Sequence, residues 1–244
     1  MGVPSAMELL RIWETSQHQS SAHQALQLLA AAHPDQAWET LSQLSVGQRD
    51  GLLLTLRQQL FGPQLACVAD CPNCSDRVEI TLRVADLQLP TQPVTPPFML
   101  KVEDYEVQFR LPTGGDLVAI AGAANPDQAQ QTVLNRCLLS VRYQGEAVTD
   151  APLPSTVLDR LIATIADMDP QADIRLDLTC PHCQHGWQLS FDIAFFLQRE
   201  IQTWAYRLLQ DVHCLARAYG WSEAEIVGMT PQRRHLYVEM ASHG

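Results

Sequence analysis

Two Cys-Pro-x-Cys knuckles, Cys71-Pro72-Asn73-Cys74 and Cys180-Pro181-His182-Cys183, constrain this chain more than any other feature. Each places two thiols on one tight turn, and together they offer the four soft ligands that a tetrahedral structural zinc requires. The knuckles lie about a hundred residues apart, so one shared Zn2+ ion clips together the two ends of a long insertion. Four thiolates fill the coordination sphere and leave no open position for catalysis at the metal. Structural zinc carries about 10–16 kcal/mol in small peptides, so loss of any one ligand is expected to unfold the central region. The chain has seven cysteines. Four in paired CxxC spacing read as metal ligands in a reducing compartment before they read as disulfides. Cys137 and Cys214 fall in helical patterns as small hydrophobes, and Cys67, four residues before Cys71, is an alternative ligand.

The residues around each knuckle alternate in the two-residue period of a strand. Val78, Ile80 and Leu82 oppose Arg77, Glu79 and Thr81 after the first knuckle, and Gln64 to Asp70 precede it. Ile174, Leu176 and Leu178 lead into the second knuckle, and Trp187, Leu189 and Phe191 follow on one face. The plan is two β-hairpins with CxxC tips, the way zinc-ribbon folds present ligands. The rival is dithiol redox chemistry, because Cys-Pro-His-Cys also occurs as an oxidising active-site tetrapeptide. That chemistry needs the first Cys at a helix N-terminus, where the dipole stabilises a thiolate. Here Gln184 to Leu189 reads as turn and strand. The chain carries no phosphate-binding Gly-rich loop, no His-Glu-x-x-His pair and no Gly-x-Ser-x-Gly elbow. Thr113-Gly114-Gly115-Asp116 reads as a helix entrance.

Outside the hairpins the chain is mainly helical. Met7, Leu10 and Trp13, then Ala25, Leu28, Leu29 and Ala32, recur at three and four up to a break at Pro34. A short helix is expected from Asp35 to Leu44. Ser45-Val46-Gly47-Gln48 is a capping box opening a helix that Gly62-Pro63 stops. The insertion starts with a stiff connector at Pro90, Pro93, Pro96 and Pro97. It continues with hairpins at 98–111 and 141–148, a helix from Gly114 through Ala123, and helices opening at Pro126 and Leu153. The longest pattern is Ile193, Leu197, Ile201, Trp204, Leu208, Val212, Leu215 and Tyr219, one apolar stripe on a helix capped by Gly220. Such a stripe ordinarily packs as intramolecular core, but Phe195, Phe196, Tyr206 and Trp221 add aromatics beyond it, which raises the competing reading of the C-terminal region as an assembly surface. Ser222 to Glu225 and Thr230-Pro231 open two further helices.

These readings give an α+β fold: helical N- and C-terminal segments around a split zinc-ribbon-like β unit with an α/β insertion. The expected segments are 1–63 (helical), 64–89 with 172–192 (the split β unit), 90–171 (the insertion) and 193–244 (helical). Apolar residues at 46% and charged residues at 18% are ordinary for a globular chain. A net charge of −11 argues against a nucleic-acid partner, which would demand clustered Lys and Arg. The run Arg233-Arg234-His235 is too short for such a footprint and reads as a solvated helix face. No apolar run reaches the roughly 20 residues of a membrane span, and no secretory signal is seen at the N-terminus. A cytoplasmic, membrane-free protein is expected.

Three stretches carry a resemblance. They are Leu197 to Ile201, His213-Cys214-Leu215-Ala216-Arg217-Ala218-Tyr219-Gly220-Trp221-Ser222 with Glu223 to Ile226, and Arg233-Arg234-His235-Leu236-Tyr237. Together with Phe109 to Leu117, and Gly47 to Gly62 ahead of a knuckle, they resemble the T-even-type phage baseplate protein family. That family includes baseplate hub components and hub-assembly chaperones, with relatives in contractile injection systems. The resemblance implies a non-enzymatic role in building a contractile-tail baseplate, with protein partners, cytoplasmic assembly and possible incorporation into a phage-like particle. It implies no catalytic residue and does not itself guarantee the metal site. Arg and large aromatics dominate interface energetics, so Trp221, Ile226, Arg233, Arg234 and Tyr237 are expected at the partner contact, against the plainer role of packing the terminal helices.

Overall fold

A computed structural model describes residues 2–89, 96–148 and 153–242. Four helices come first: α1 (Ala6–Ser16), α2 (Ser21–Ala32), α3 (Trp38–Ser42) and α4 (Val46–Phe61). Capping boxes at Ser5 with Glu8 and at Ser45 with Gln48 start α1 and α4, each satisfying N–H groups that the first turn leaves open. Gly62, at φ 87°, ends α4 in a conformation that disfavours a side chain. The chain then forms the first hairpin, β1 (Gln64–Asp70) and β2 (Arg77–Arg83), followed by a single turn, α5 (Val84–Leu87). Both strands of this hairpin have the residues expected from the alternation.

The insertion holds β3 (Phe98–Val102), β4 (Tyr105–Phe109), α6 (Gly114–Ala119), α7 (Pro126–Cys137), β5 (Leu138–Tyr143), β6 (Glu146–Ala147) and α8 (Ser155–Met168). Its strands form one antiparallel sheet in the order β3-β4-β5-β6. The expected connector at Pro90 and Pro93 lies outside the described residues. The helix entered at Thr113 stops at Ala119, short of Ala123. A 3₁₀ turn, Pro170–Ala172, leads to the second hairpin, β7 (Ile174–Thr179) and β8 (Gly186–Phe191). The C-terminus is α9 (Ile193–Tyr219), α10 (Glu223–Val227) and α11 (Pro231–Ser242). No described helix is long and apolar enough to cross a membrane.

The two knuckle hairpins are separate two-stranded sheets and share no ladder hydrogen bonds. Their bases are instead buried in the main apolar core. Leu65 and Ile174, with Leu82, Leu176 and Phe191, pack with Leu29, Leu41, Leu53, Leu54 and Leu56 of the N-terminal helices and with Ile193, Leu197 and Ile201 of α9. Three of the expected segments therefore contribute to one core. The insertion has its own, in which Val107, Phe109, Leu134, Val157 and Leu161 are buried between the sheet and helices α7 and α8.

Polar contacts dock the insertion on α4. Ser45 and Thr113, the caps of α4 and α6, form an isolated antiparallel bridge. The Val46 N–H donates to the Pro112 carbonyl at 3.0 Å, and the Gly114 N–H to that of Leu44 at 3.1 Å. Gly47 N–H donates to Asp169 Oδ2 at 2.9 Å, and a Cβ on Gly47 would stand 2.0 Å from Asp169 Oδ1. Gln171, 1% exposed, joins the two ends of the insertion. Its Nε2 donates to the Leu87 carbonyl at 3.1 Å, and its Oε1 accepts from the Leu89 N–H at 2.6 Å.

Candidate metal centre

Each knuckle folds locally by the same rule. The Cys71 N–H donates to the Asp76 carbonyl at 2.9 Å, and the Ser75 N–H returns to the Cys71 carbonyl at 2.9 Å. In the second, the Cys180 N–H donates to His185 and the Gln184 N–H to Cys180, at 2.9 and 3.0 Å. The residue after the second cysteine takes a left-handed backbone in both, Ser75 at φ 58° and Gln184 at φ 59°. Neither is Gly or Asn, so the left-handed residue within each turn had no signal in the sequence. The conformation costs about 1–3 kcal/mol for a non-glycine residue, and the paired backbone hydrogen bonds hold it. Neither knuckle opens a helix. Each runs directly into a strand, β2 or β8.

The tips converge. The Sγ atoms of Cys71, Cys74, Cys180 and Cys183 all lie within 4.8 Å of one another. Cys71 Sγ is 3.7 Å from Cys183 Sγ, and Cys74 Sγ is 3.7 Å from Cys180 Sγ. Zinc–sulfur bonds of about 2.3 Å at tetrahedral angles separate neighbouring sulfurs by about 3.8 Å. The spacing therefore fits one ion at the centre of the four sulfurs. Cys71 and Cys180 are buried, 1% and 0% exposed, while Cys74 and Cys183 reach solvent. Val78, Ile80 and Trp187 pack around them.

The electrostatics suit a cation. Asn73 Nδ2, donating to Cys183 Sγ at 3.5 Å, is the main reason that this thiol is pulled down to about 6. The Asp76 backbone amide alone would lower Cys74. Burial and hydrogen bonds with the other three thiols push it up instead, to about 12. A dication at the centre of the group would hold its ligands as thiolates and offset their mutual repulsion.

The other candidate ligands stand apart. Cys67 lies in β1 opposite Ile80, packs against the main core and is outside the four-sulfur group. His185 stacks on Trp187 at 6.4 Å. Cys137 is fully buried at the end of α7. Burial pushes its thiol up to about 11, as expected of an inert core cysteine.

The five residues expected at a partner contact divide. Ile226 is 0% exposed and Arg234 6%, so neither offers surface. Arg234 Nε donates to Asp211 Oδ2 at 3.0 Å and ties α11 to α9. The reading of Arg233-Arg234-His235 as a solvated face is thus corrected at Arg234. Consecutive helical side chains point about 100° apart, which turns one arginine inward while Arg233 and His235 stay exposed. Trp221 and Tyr237 are half-buried in a trio with Tyr219, with Tyr219 and Trp221 stacked at 4.5 Å. The Arg233 guanidinium lies 5.6 Å from the Tyr237 ring centre.

The architecture defines a class: an α+β protein whose two distant β-hairpins converge on four sulfurs able to hold one metal ion. The chain belongs to the T4 bacteriophage base plate protein family, whose model matches residues 5–197. No individual curated protein and no solved structure matches it. The matched span takes in the α4 and Phe109–Leu117 stretches that resembled the family. It ends at Leu197, so the stretches of that resemblance in α9 to α11 lie at its end or beyond it.

Proposed function

We propose that this chain is a non-enzymatic structural or assembly protein of a contractile-tail baseplate, in a phage tail or a contractile injection system. A single structural zinc on Cys71, Cys74, Cys180 and Cys183 staples its two hairpins. The family match over residues 5–197 carries the baseplate role, and association with other baseplate components follows from it. The zinc reading rests on four converging sulfurs at tetrahedral spacing. A closed four-thiolate shell gives the ion scaffolding work and no substrate position. Dithiol redox catalysis is disfavoured because both knuckles enter strands, where no helix dipole stabilises an attacking thiolate.

Hub or wedge proteins are the proposed partners, met during assembly in the cytoplasm. The exposed part of the contact falls on Trp221, Arg233 and Tyr237, supported from beneath by Ile226 and Arg234. Two measurements test the reading. Elemental analysis of the purified protein is expected to give about one zinc per chain. Co-expression with the hub and wedge proteins encoded beside it is expected to give a stable complex. Protein free of zinc and of any such complex overturns the proposal. A complex formed instead with an unrelated assembly points to a zinc-ribbon adaptor.

A further inference from the structure

Resting on the zinc reading, we infer that the staple is convertible from metal to covalent. A peroxide oxidises the four thiolates to two disulfides that cross between the hairpins, Cys71–Cys183 and Cys74–Cys180, and the ion is released. The pairing is taken from two contacts within a group of sulfurs that all lie within 4.8 Å of one another. The sulfur pairs in contact at 3.7 Å both bridge the hairpins, each joining the first cysteine of one knuckle to the second of the other. Each pair also couples a buried sulfur, Cys71 or Cys180, to one that reaches solvent, Cys183 or Cys74.

An oxidant therefore reaches one member of each pair, and the other stands beside it. In the first step a thiolate takes OH from hydrogen peroxide, giving a sulfenic acid and hydroxide. In the second the partner thiolate attacks that sulfur, the S–S bond forms and a second hydroxide leaves. Two thiolates and one peroxide thus give one disulfide and two hydroxides, and the second pair repeats the step. Little motion is needed. The hairpin bases stay in the core and no ladder hydrogen bond between the hairpins has to break, so the tips close from 3.7 Å to the bond length of about 2.0 Å.

This matters for a particle component, because a tail built in a reducing cytosol works outside it, where disulfides persist. The closure then survives loss of the ion.

The test treats the intact protein with hydrogen peroxide in the presence of a chromogenic zinc chelator, followed by non-reducing tryptic mass spectrometry. The expected result is one zinc released as four thiols disappear, with peptides 58–77 and 176–199 covalently joined. Fragment ions are expected to place the bridges at Cys71–Cys183 and Cys74–Cys180, and any other pairing overturns the inference. Peptides that stay separate, each closed on its own CxxC or carried to sulfinic acid, overturn the inference. The two readings fail separately. Protein that holds no zinc before peroxide is added refutes the staple's metal, while the peptide map of that same protein still decides the crosslink.

Discussion

Asp116 sits 0% exposed at the start of α6, where five donors converge on its carboxylate. Arg110 donates through Nη1 and Nη2 at 2.6 and 2.9 Å, and Arg136 Nε at 2.6 Å. Thr113 adds its N–H and hydroxyl at 2.9 and 3.0 Å. Burial alone would raise this carboxyl, but the two guanidiniums and the cap hold it well below the usual carboxylate range. Asp50 shows the opposite balance: burial outweighs the adjoining Arg49 and lifts it to about 6. The signs follow. Asp116 stabilises the fold above the unfolded-state value of 3.8, and that contribution is lost as the pH falls through and below it. Asp50 is most compatible with folding below 3.8, and stability is lost as the pH rises from there to about 6. In urea titrations, D116N is expected to cost about 3–5 kcal/mol at pH 7, a deficit that shrinks in acid. D50N is expected to gain on the wild type as the pH rises from 4 to 7. Deficits and gains independent of pH would refute both assignments. None of these partnerships has a period, so sequence showed Thr113 to Asp116 as a helix entrance without revealing the arginines that converge on it.

Helices α4 and α9 are joined by a half-buried ion pair. Arg57 donates to both oxygens of Glu200 at 2.8 and 2.6 Å and to the Gly62 carbonyl at 2.7 Å, and it lies 5.9 Å from the Phe196 ring centre. Replacing Arg57 with Ala strands Glu200 and is expected to cost about 3–5 kcal/mol in global unfolding. Helix α11 is different. Arg234 is its one buried residue, so R234A is expected to bring hydrogen exchange across 231–242 towards the rates of an open helix. Protection in α4 and the hairpins should not change. A global loss of protection would show that α11 is integral to the core, and loss of partner binding with exchange unaltered would assign Arg234 to the contact. At this scale sequence served well where a pattern was local. The strands flanking both knuckles, the cap at Ser45 and the 27 residues of α9 were all visible in it. It failed where one residue in a polar run turns inward, as Arg234 does.

Across the whole molecule, a metal held by the four sulfurs would close loops of more than a hundred residues, the sequence separations of the paired sulfurs being 112 and 106. A crosslink closing a loop of that length is worth about 4–5 kcal/mol through chain entropy. The sequence alone suggested that removing a ligand unfolds the central region. With hairpin bases in one core and the insertion built on another, the expected result of stripping the metal is narrower. Amides at the hairpin tips should lose protection while the α2, α4 and α9 amides keep theirs, measured by hydrogen exchange with and without a strong chelator. Cooperative loss everywhere would favour the broader effect. The shared core was the part least legible in the sequence, because alternation places Leu65 and Ile174 on inner faces without saying which helices cover them.

Gln171 has a consequence for how such a chain tolerates change. By bonding Leu87 and Leu89 from the far end of the insertion, it sets departure and return side by side, like the two posts of a gate. Whatever length of polypeptide travels between those posts, the frame holding the sulfurs meets the same pair of anchors. The segment between them can therefore change length away from the Pro112–Gly114 docking on α4 while the frame keeps its shape.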